Sequence, residues 1–407
     1  MIKIKTAPTE MARLLTHGSF VVEIPDSVIQ AILDIYPDEK LYERKVFTTA
    51  LETGSLTYQD LVKECEVLHL PWQIFLLKDE KVLAEIAKID TLRKSKFDLG
   101  KVANRAGSGQ RVSMRLLDRI IALQQFGKEK VTQQNAYCGA LQSVSRDQWI
   151  PHIVEYFGID TQKFHSLNKE KALEYLIGCL ETKNVRVSRG VLSNKILPAS
   201  RELQKAYRQS SGFVVQDQAL PYIFLPNEIN RDETAGRQLY TLISLLLLVG
   251  LGEYNILVSS DFAARVNGDR ITRRIHGAVT ELLLPFEATN LYRNQLIDAG
   301  VRDDLATNYK LTPTAVVITL LQRGVITSDE CEALLASIAP KPASSDNVHF
   351  NNPKLTTSIQ KFCGKFTNEN IVVALSDKSL NTTRAQYLLF GHIDKKRFHD
   401  FKEMNNI

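Results

Sequence analysis

Histidines, cysteines, acids and activated hydroxyls carry most protein chemistry, and their spacing in this chain is sparse. Eight histidines occur: His17, His69, His152, His165, His276, His349, His392 and His399. Apart from the seven-residue separation of His392 and His399, no two share a helical spacing, so no imidazole pair is set up to grip a metal. The cysteines (Cys65, Cys138, Cys179, Cys331, Cys363) are odd in number, scattered and without a C-x-x-C pair. That pattern fits reduced thiols in a cytosolic protein and argues against a zinc ribbon or a disulfide scaffold. Ser210 and Ser211 precede Gly212 without the G-x-S-x-G elbow of a nucleophilic serine. Asp303 and Asp304 suit the negative charge favoured at a helix N-terminus better than an acid–base pair.

The clearest charge pattern is basic. Arg93, Lys94, Lys96, Lys101, Arg105, Arg111, Arg115 and Arg119 follow one another, opposed only by Asp98 and Asp118. Gly100, Gly107 and Gly109 punctuate the run and make "RAGSGQR" a loop. Backbone N–H groups and guanidinium forks in such a loop both suit phosphate oxygens, so these residues are candidates for nucleic-acid contact. A solvated surface is the competing explanation, and the Gly-Lys-Ser/Thr ending of a P-loop is absent. Arg273 and Arg274, with His276 close by, form a second basic group, either an anion-holding cleft or an exposed helix face. The net charge of +5 permits nucleic-acid binding without demanding it.

The elements that must position these residues are mostly helical. In the first 150 residues, "SVIQAILDIY", "KVFTTALETG", "TYQDLVKECEVLHL" and "PWQIFLLKDEKVLAEIAKI" place apolar residues three and four apart. "LTYQDLVKECEVLHLPWQIFLL" has the size of a helix-turn-helix core, with Thr57 as N-cap and Leu61, Val62 and Cys65 buried; a plain helical hairpin fits equally. Beyond residue 151 the periodicity changes. "NKEKALEYLIGCLETKN" is an amphipathic helix, "VRVSRGVL" alternates as a strand does, and "SGFVVQDQALPYIFLP" reads as two strands turning near Asp217 to Ala219. A long apolar helix follows, "DETAGRQLYTLISLLLLVGLGEYN", with Asp232 and Glu233 at its N-terminal end. Then come "ITRRIHGAVTELLLP", stopped by Pro285, and two helices broken at Gly324. "APKPASSDNVHFNNPK" reads as a linker into a small helical tail.

The apolar helix is too short to cross a membrane. The uncharged residues between Arg237 and Glu253 span about 22 Å as a helix, against about 30 Å of hydrocarbon. No apolar signal-peptide segment opens the chain, and 44% apolar with 24% charged residues is the balance of a soluble globular protein. The expected class is α+β, mostly α with a small β-sheet. A helical domain over residues 1–150 precedes a mixed domain over 151–340, and a linker with a helical tail covers 341–407.

The order of segments from about residue 168 to 340 resembles the ImmA/IrrE family of metallopeptidase-like proteins. The likeness rests on "SGFVVQDQALPYIFLP", then "AGRQLYTLISLLLLVGLG", "IHGAVTELLLP" and "LTPTAVVITLLQRGVITSDE", in the family's order. "NNPKLTTSIQKFCGKF" and the helices after it are similar to the tail of longer members. The resemblance implies a zincin-like fold in which a helix bears H-E-x-x-H, two histidines binding zinc and the glutamate acting as general base. In this chain Ser244 and Leu248 stand at the histidine positions and Leu245 at the glutamate position. The third ligand would fall in "ITRRIH", which has no acid, and Glu281 matches an acid that is not a ligand in the pattern. No group remains to activate water, and each leucine would instead contribute about 1.5–3 kcal/mol of burial.

The implied protein is a cytoplasmic pseudo-metallopeptidase that needs no metal or cofactor. It would act in a mobile element, in phage defence or in a toxin–antitoxin pair, with a repressor, toxin or phage component as its partner. The alternatives are a DNA-binding transcription regulator using the N-terminal helices and the basic run, and an active peptidase with displaced ligands.

Overall fold

Apolar runs without alternation demand burial on both faces, and the middle of the chain meets that demand with a sheet set between two cores. The computed structural model describes residues 11–16, 19–35, 45–68, 70, 72–97, 114–190, 210–226, 235–254, 258–259, 270–293, 295–338 and 355–407. Strands β4 (Arg186–Gly190), β5 (Ser210–Val215), β6 (Tyr222–Pro226) and β7 (Val258–Ser259) order as β4-β6-β5-β7. β4 runs parallel to β6, with Val187 opposite Ile223, while β5 and β6 form an antiparallel pair with Phe213 opposite Phe224. Successive side chains on a strand point to opposite faces. Accordingly Val214, Ile223 and Leu225 enter one core, and Phe213, Val215, Tyr222 and Phe224 enter the other.

The first core is built from one continuous stretch of chain. It holds helices α6 (Trp149–Phe157), α7 (Thr161–Ser166), α8 (Lys169–Thr182), α9 (Ala235–Leu251), α10 (Arg270–Leu283), α11 (Phe286–Asn290), α12 (Ala299–Asn308), α13 (Pro313–Gln322) and α14 (Ser328–Ala336). Side-chain caps start many of them. Asn168 accepts from the Lys171 amide at 2.9 Å, and Thr312 accepts from the Ala315 amide at 3.2 Å with Pro313 in the first turn. Thr327 and Glu330 form a reciprocal capping box.

The second core joins the two ends of the chain. Residues from Ile24 to Phe126 share it with residues from Ile359 to Phe401. Its helices are α1 (Asp26–Ile35), α2 (Lys45–Thr53), α3 (Tyr58–Leu68), α4 (Asp79–Lys96), α5 (Met114–Lys128), α15 (Leu355–Cys363), α16 (Lys365–Ser376), α17 (Thr382–Phe390) and α18 (Lys395–Asn405). The class is α+β, mostly helical.

The N-terminal region departs from the all-helical expectation. β1 (Met11–Thr16), β2 (Ser19–Pro25) and β3 (Ser55–Thr57) form a mixed sheet of order β2-β1-β3, with β1 antiparallel to β2 and parallel to β3. The expected helix-turn-helix core is also different. Thr57 does cap α3, accepting from the Asp60 amide at 3.0 Å, and Leu61 and Cys65 are buried while Val62 is half-buried. A short 3-10 turn, Trp72–Leu76, stands where a second helix would begin, and the Trp72 ring packs edge-on against Tyr58 at the start of α3. Asp232, Glu233 and the 339–354 linker lie outside the described residues. Among those described, no helix is long and apolar enough to cross a membrane.

Candidate functional site

Helix α9 is enclosed on every side, as an all-round apolar helix must be. From Gln238 to Gly250 every residue is buried, between α8, α10, β5, β6 and a 3-10 turn at Ala140–Ser143. Ser244 is 2% exposed, Leu245 0% and Leu248 1%. The Ser244 hydroxyl donates to the Tyr240 carbonyl one turn back, at 2.8 Å. Leu245 approaches β5 closely: a Cβ built on Gly212 would lie 2.9 Å from its Cδ1. Two hydrocarbon side chains and a hydroxyl committed to the backbone do not fit a metal ion, and no metal-dependent step is derived from them. Among the described residues, no group of three or more His, Cys, Asp or Glu side chains is arranged to hold one.

The ends of α9 explain its glycines. Gly252 takes a positive φ of 68°, and the Gly252 and Glu253 amides donate to the Val249 and Leu248 carbonyls at 3.1 and 2.9 Å, a Schellman stop. At Gly250 a Cβ would meet Leu141 Cδ1 at 2.6 Å and the Tyr137 hydroxyl at 2.8 Å. Its absence lets the 3-10 turn lie against the helix, where the Tyr137 hydroxyl donates to the Leu246 carbonyl at 3.1 Å.

Helix α10 divides the second basic group. His276 is 1% exposed, and its Nδ1 meets the Tyr240 hydroxyl at 2.5 Å, tying α10 to α9. Arg273 and Arg274 are exposed on the other face, with the Arg274 guanidinium 4.7 Å above the Trp149 ring. The three side chains therefore do not share a cleft. Glu281 pairs with Arg146 at 2.9 Å.

The first basic run is likewise divided. Arg93 is buried and bidentate with Asp118, at 2.5 Å to each oxygen, and donates to the Ile35 carbonyl at 2.6 Å. Lys96 reaches Asp217 at 2.6 Å. Both are engaged inside the protein and are unavailable to a phosphate backbone. Arg119 is buried too, donating to the Leu389 carbonyl and lying 3.8 Å over the Phe362 ring. Lys94 is exposed and pairs with Asp90 one turn away. Arg115 falls on α5, but its side chain is outside the described residues, as are Lys101, Arg105 and Arg111 entirely.

The buried ionic groups lie at the seam where the sheet meets the second core, and composition gave no sign of them. Asp217 is 3% exposed and accepts from Lys96, from Lys128 at 2.9 Å, and from the amides of Ala219 and Leu220 at 2.8 and 3.1 Å. Burial pushes its carboxyl up, but these ammonium and amide groups outweigh that and hold it well below the usual carboxylate range. Glu181, at the end of α8, is 3% exposed and faces Gly364 at the start of α16. Burial pushes its carboxyl up to about 7, against the pull of Arg186, the Val187 and Lys365 amides and Arg189. Nearby, the Tyr222 hydroxyl donates to the Cys363 carbonyl and the Ser188 hydroxyl to the Phe362 carbonyl. The turn reading of Asp217 to Ala219 was the only local signal for this seam. Comparison with protein-family models, curated proteins and solved structures finds no match to the chain.

Proposed function

We propose that this chain is a non-catalytic regulatory or interaction protein of the mobile-element, phage-defence or toxin–antitoxin kind, built on an inactive ImmA/IrrE-like, zincin-like fold. The observation that carries the reading is the interior of α9. Where a peptidase of that family would present His, Glu and His, this chain has Ser244, Leu245 and Leu248, all buried among hydrocarbon. Such a core leaves no open coordination position and no base to activate water. The succession α8, β4, β5–β6 hairpin, α9 and α10 is the order the resemblance implies, and it supports the reading. All five cysteines are free, in keeping with a reducing cytoplasm. Function then lies in holding a partner, a repressor, toxin or phage component.

Metal analysis of the purified full chain, after incubation with zinc and desalting, tests the claim directly. The expected result is no stoichiometric zinc and a melting temperature indifferent to chelator. One zinc per chain, removed by chelator together with a peptide-hydrolysing activity, would overturn it. Co-expression with the products of flanking genes tests the partner: a stable complex with a repressor, toxin or phage component is expected.

A further inference from the structure

Helix α10 carries a charged face that the reading above does not use. Arg270, Arg273 and Arg274 stand at the i, i+3, i+4 spacing of one helix face, and all three are exposed. Among the described residues no carboxylate pairs with any of them. The next position on this face is Gly277, and there the Arg146 guanidinium lies against the helix, 2.6 Å from where a Cβ would be. The four guanidiniums thus span about 10 Å along the axis. Arg146 is held by Glu281, which closes that end of the row. Behind the arginines, Ile275, Ala278, Val279, Leu282 and Leu283 are buried in the first core, so the row stands on a fixed support.

We propose that this face docks the phosphate backbone of duplex nucleic acid without reading its bases. Guanidinium forks match phosphate oxygens two at a time, and Arg274 is held in place by stacking over Trp149. Two further observations choose among polyanions. The exposed large apolar side chains, among them Leu76, Phe286, Leu291 and Leu296, include none from this face or from the adjoining Arg146–Phe157 segment. A protein partner would need such anchors at the centre of its interface, whereas phosphate contacts do not. Trp149 is itself 1% exposed, which leaves no aromatic platform of the kind that binds single strands by stacking.

The test is anisotropy of a labelled DNA duplex with the full chain, from about 50 to 200 mM salt. Wild-type affinity should fall steeply with salt. The Arg270→Ala/Arg273→Ala/Arg274→Ala variant should lose about 2.7 from the slope of log K against log salt, about 0.9 per phosphate released. Its melting temperature should match wild type because the three side chains are exposed. If it does not, Arg270→Glu and Arg273→Glu singly should each lower the slope by about 1. Lys395→Ala/Lys396→Ala, on exposed lysines of α18, should leave it unchanged. The proposal fails if wild type does not bind, if the triple variant keeps the full slope, or if poly-glutamate displaces the duplex at equal charge. That last outcome would point to an acidic protein.

Discussion

Helix α9 and the seam around Asp217 are both fully enclosed, yet they solve burial in opposite ways. Around Ser244, Leu245 and Leu248 the interior is hydrocarbon, and the lone hydroxyl is satisfied within its own helix. At the seam, Asp217, Glu181 and Arg119 are ionisable groups held by partners far away in the sequence. Buried ionic groups often mark active sites. Here they sit where Lys96, Lys128 and the C-terminal helices meet the sheet, so their role is to fix how the two cores join. The dry helix holds the fold together through volume, and the seam does so through charge. The two regions should therefore answer differently to truncation and to pH.

The largest effect is expected at Asp217. Its replacement by alanine leaves two ammonium groups without their shared carboxylate and strips the acceptor from two buried amides. Breaking a buried pair costs about 3–5 kcal/mol, and Lys128, which keeps partial contact with water, holds the expectation near 4 kcal/mol. Urea unfolding at pH 7 measures it. A depressed carboxyl contributes stability above the unfolded aspartate value of about 4 and loses it as pH falls toward the folded one. Asp217→Ala should therefore flatten the acid limb of stability against pH. A loss under about 1 kcal/mol, the scale of an exposed pair, would make the seam a surface feature.

Leu245→Ala comes next, at about 3 kcal/mol from lost transfer energy and the cavity left behind. The sharper point is that its loss should be the same at pH 5 and pH 8, because no ionisable group enters it. This region was also the more legible one. The runs "FVV", "YIFL" and "LISLLLLVG" could only be interior, and the sheet and α9 are where those runs required them. The seam was not legible, since Lys96 with Asp217, Arg119 with Leu389 and Tyr222 with Cys363 are paired by the fold and share no local pattern. The β1–β3 sheet escaped for a related reason. Its strands are short, and β3 joins β1 by parallel pairing across a long loop in sequence.

Glu181 sharpens the pH side of the comparison. Its carboxyl titrates near 7 in the folded chain against about 4.5 unfolded, because burial disfavours the charge. A raised value means the favourable contribution is complete below about pH 4.5 and is lost as pH rises through about 7. Glu181→Gln keeps the shape and removes the charge. The variant should equal wild type near pH 4 and exceed it on the order of 2 kcal/mol at pH 8.5, seen in melting temperature against pH. Parallel curves for the two proteins would mean that Glu181 is solvated and that the seam opens there.

The smallest effect lies between the two regimes, at the one polar contact joining α9 to α10. Tyr240→Phe deletes the hydroxyl that meets His276 Nδ1 and leaves the ring in its place. One hydrogen bond in a buried setting is worth about 1 kcal/mol net. Calorimetric melting should show that loss with little change in the heat-capacity step, because the apolar area buried stays the same. Should the loss reach that of Leu245→Ala, the interior of α9 would owe its stability to the Tyr240–His276 pair as much as to its leucines. The division between a dry helix and a charged seam would then no longer hold.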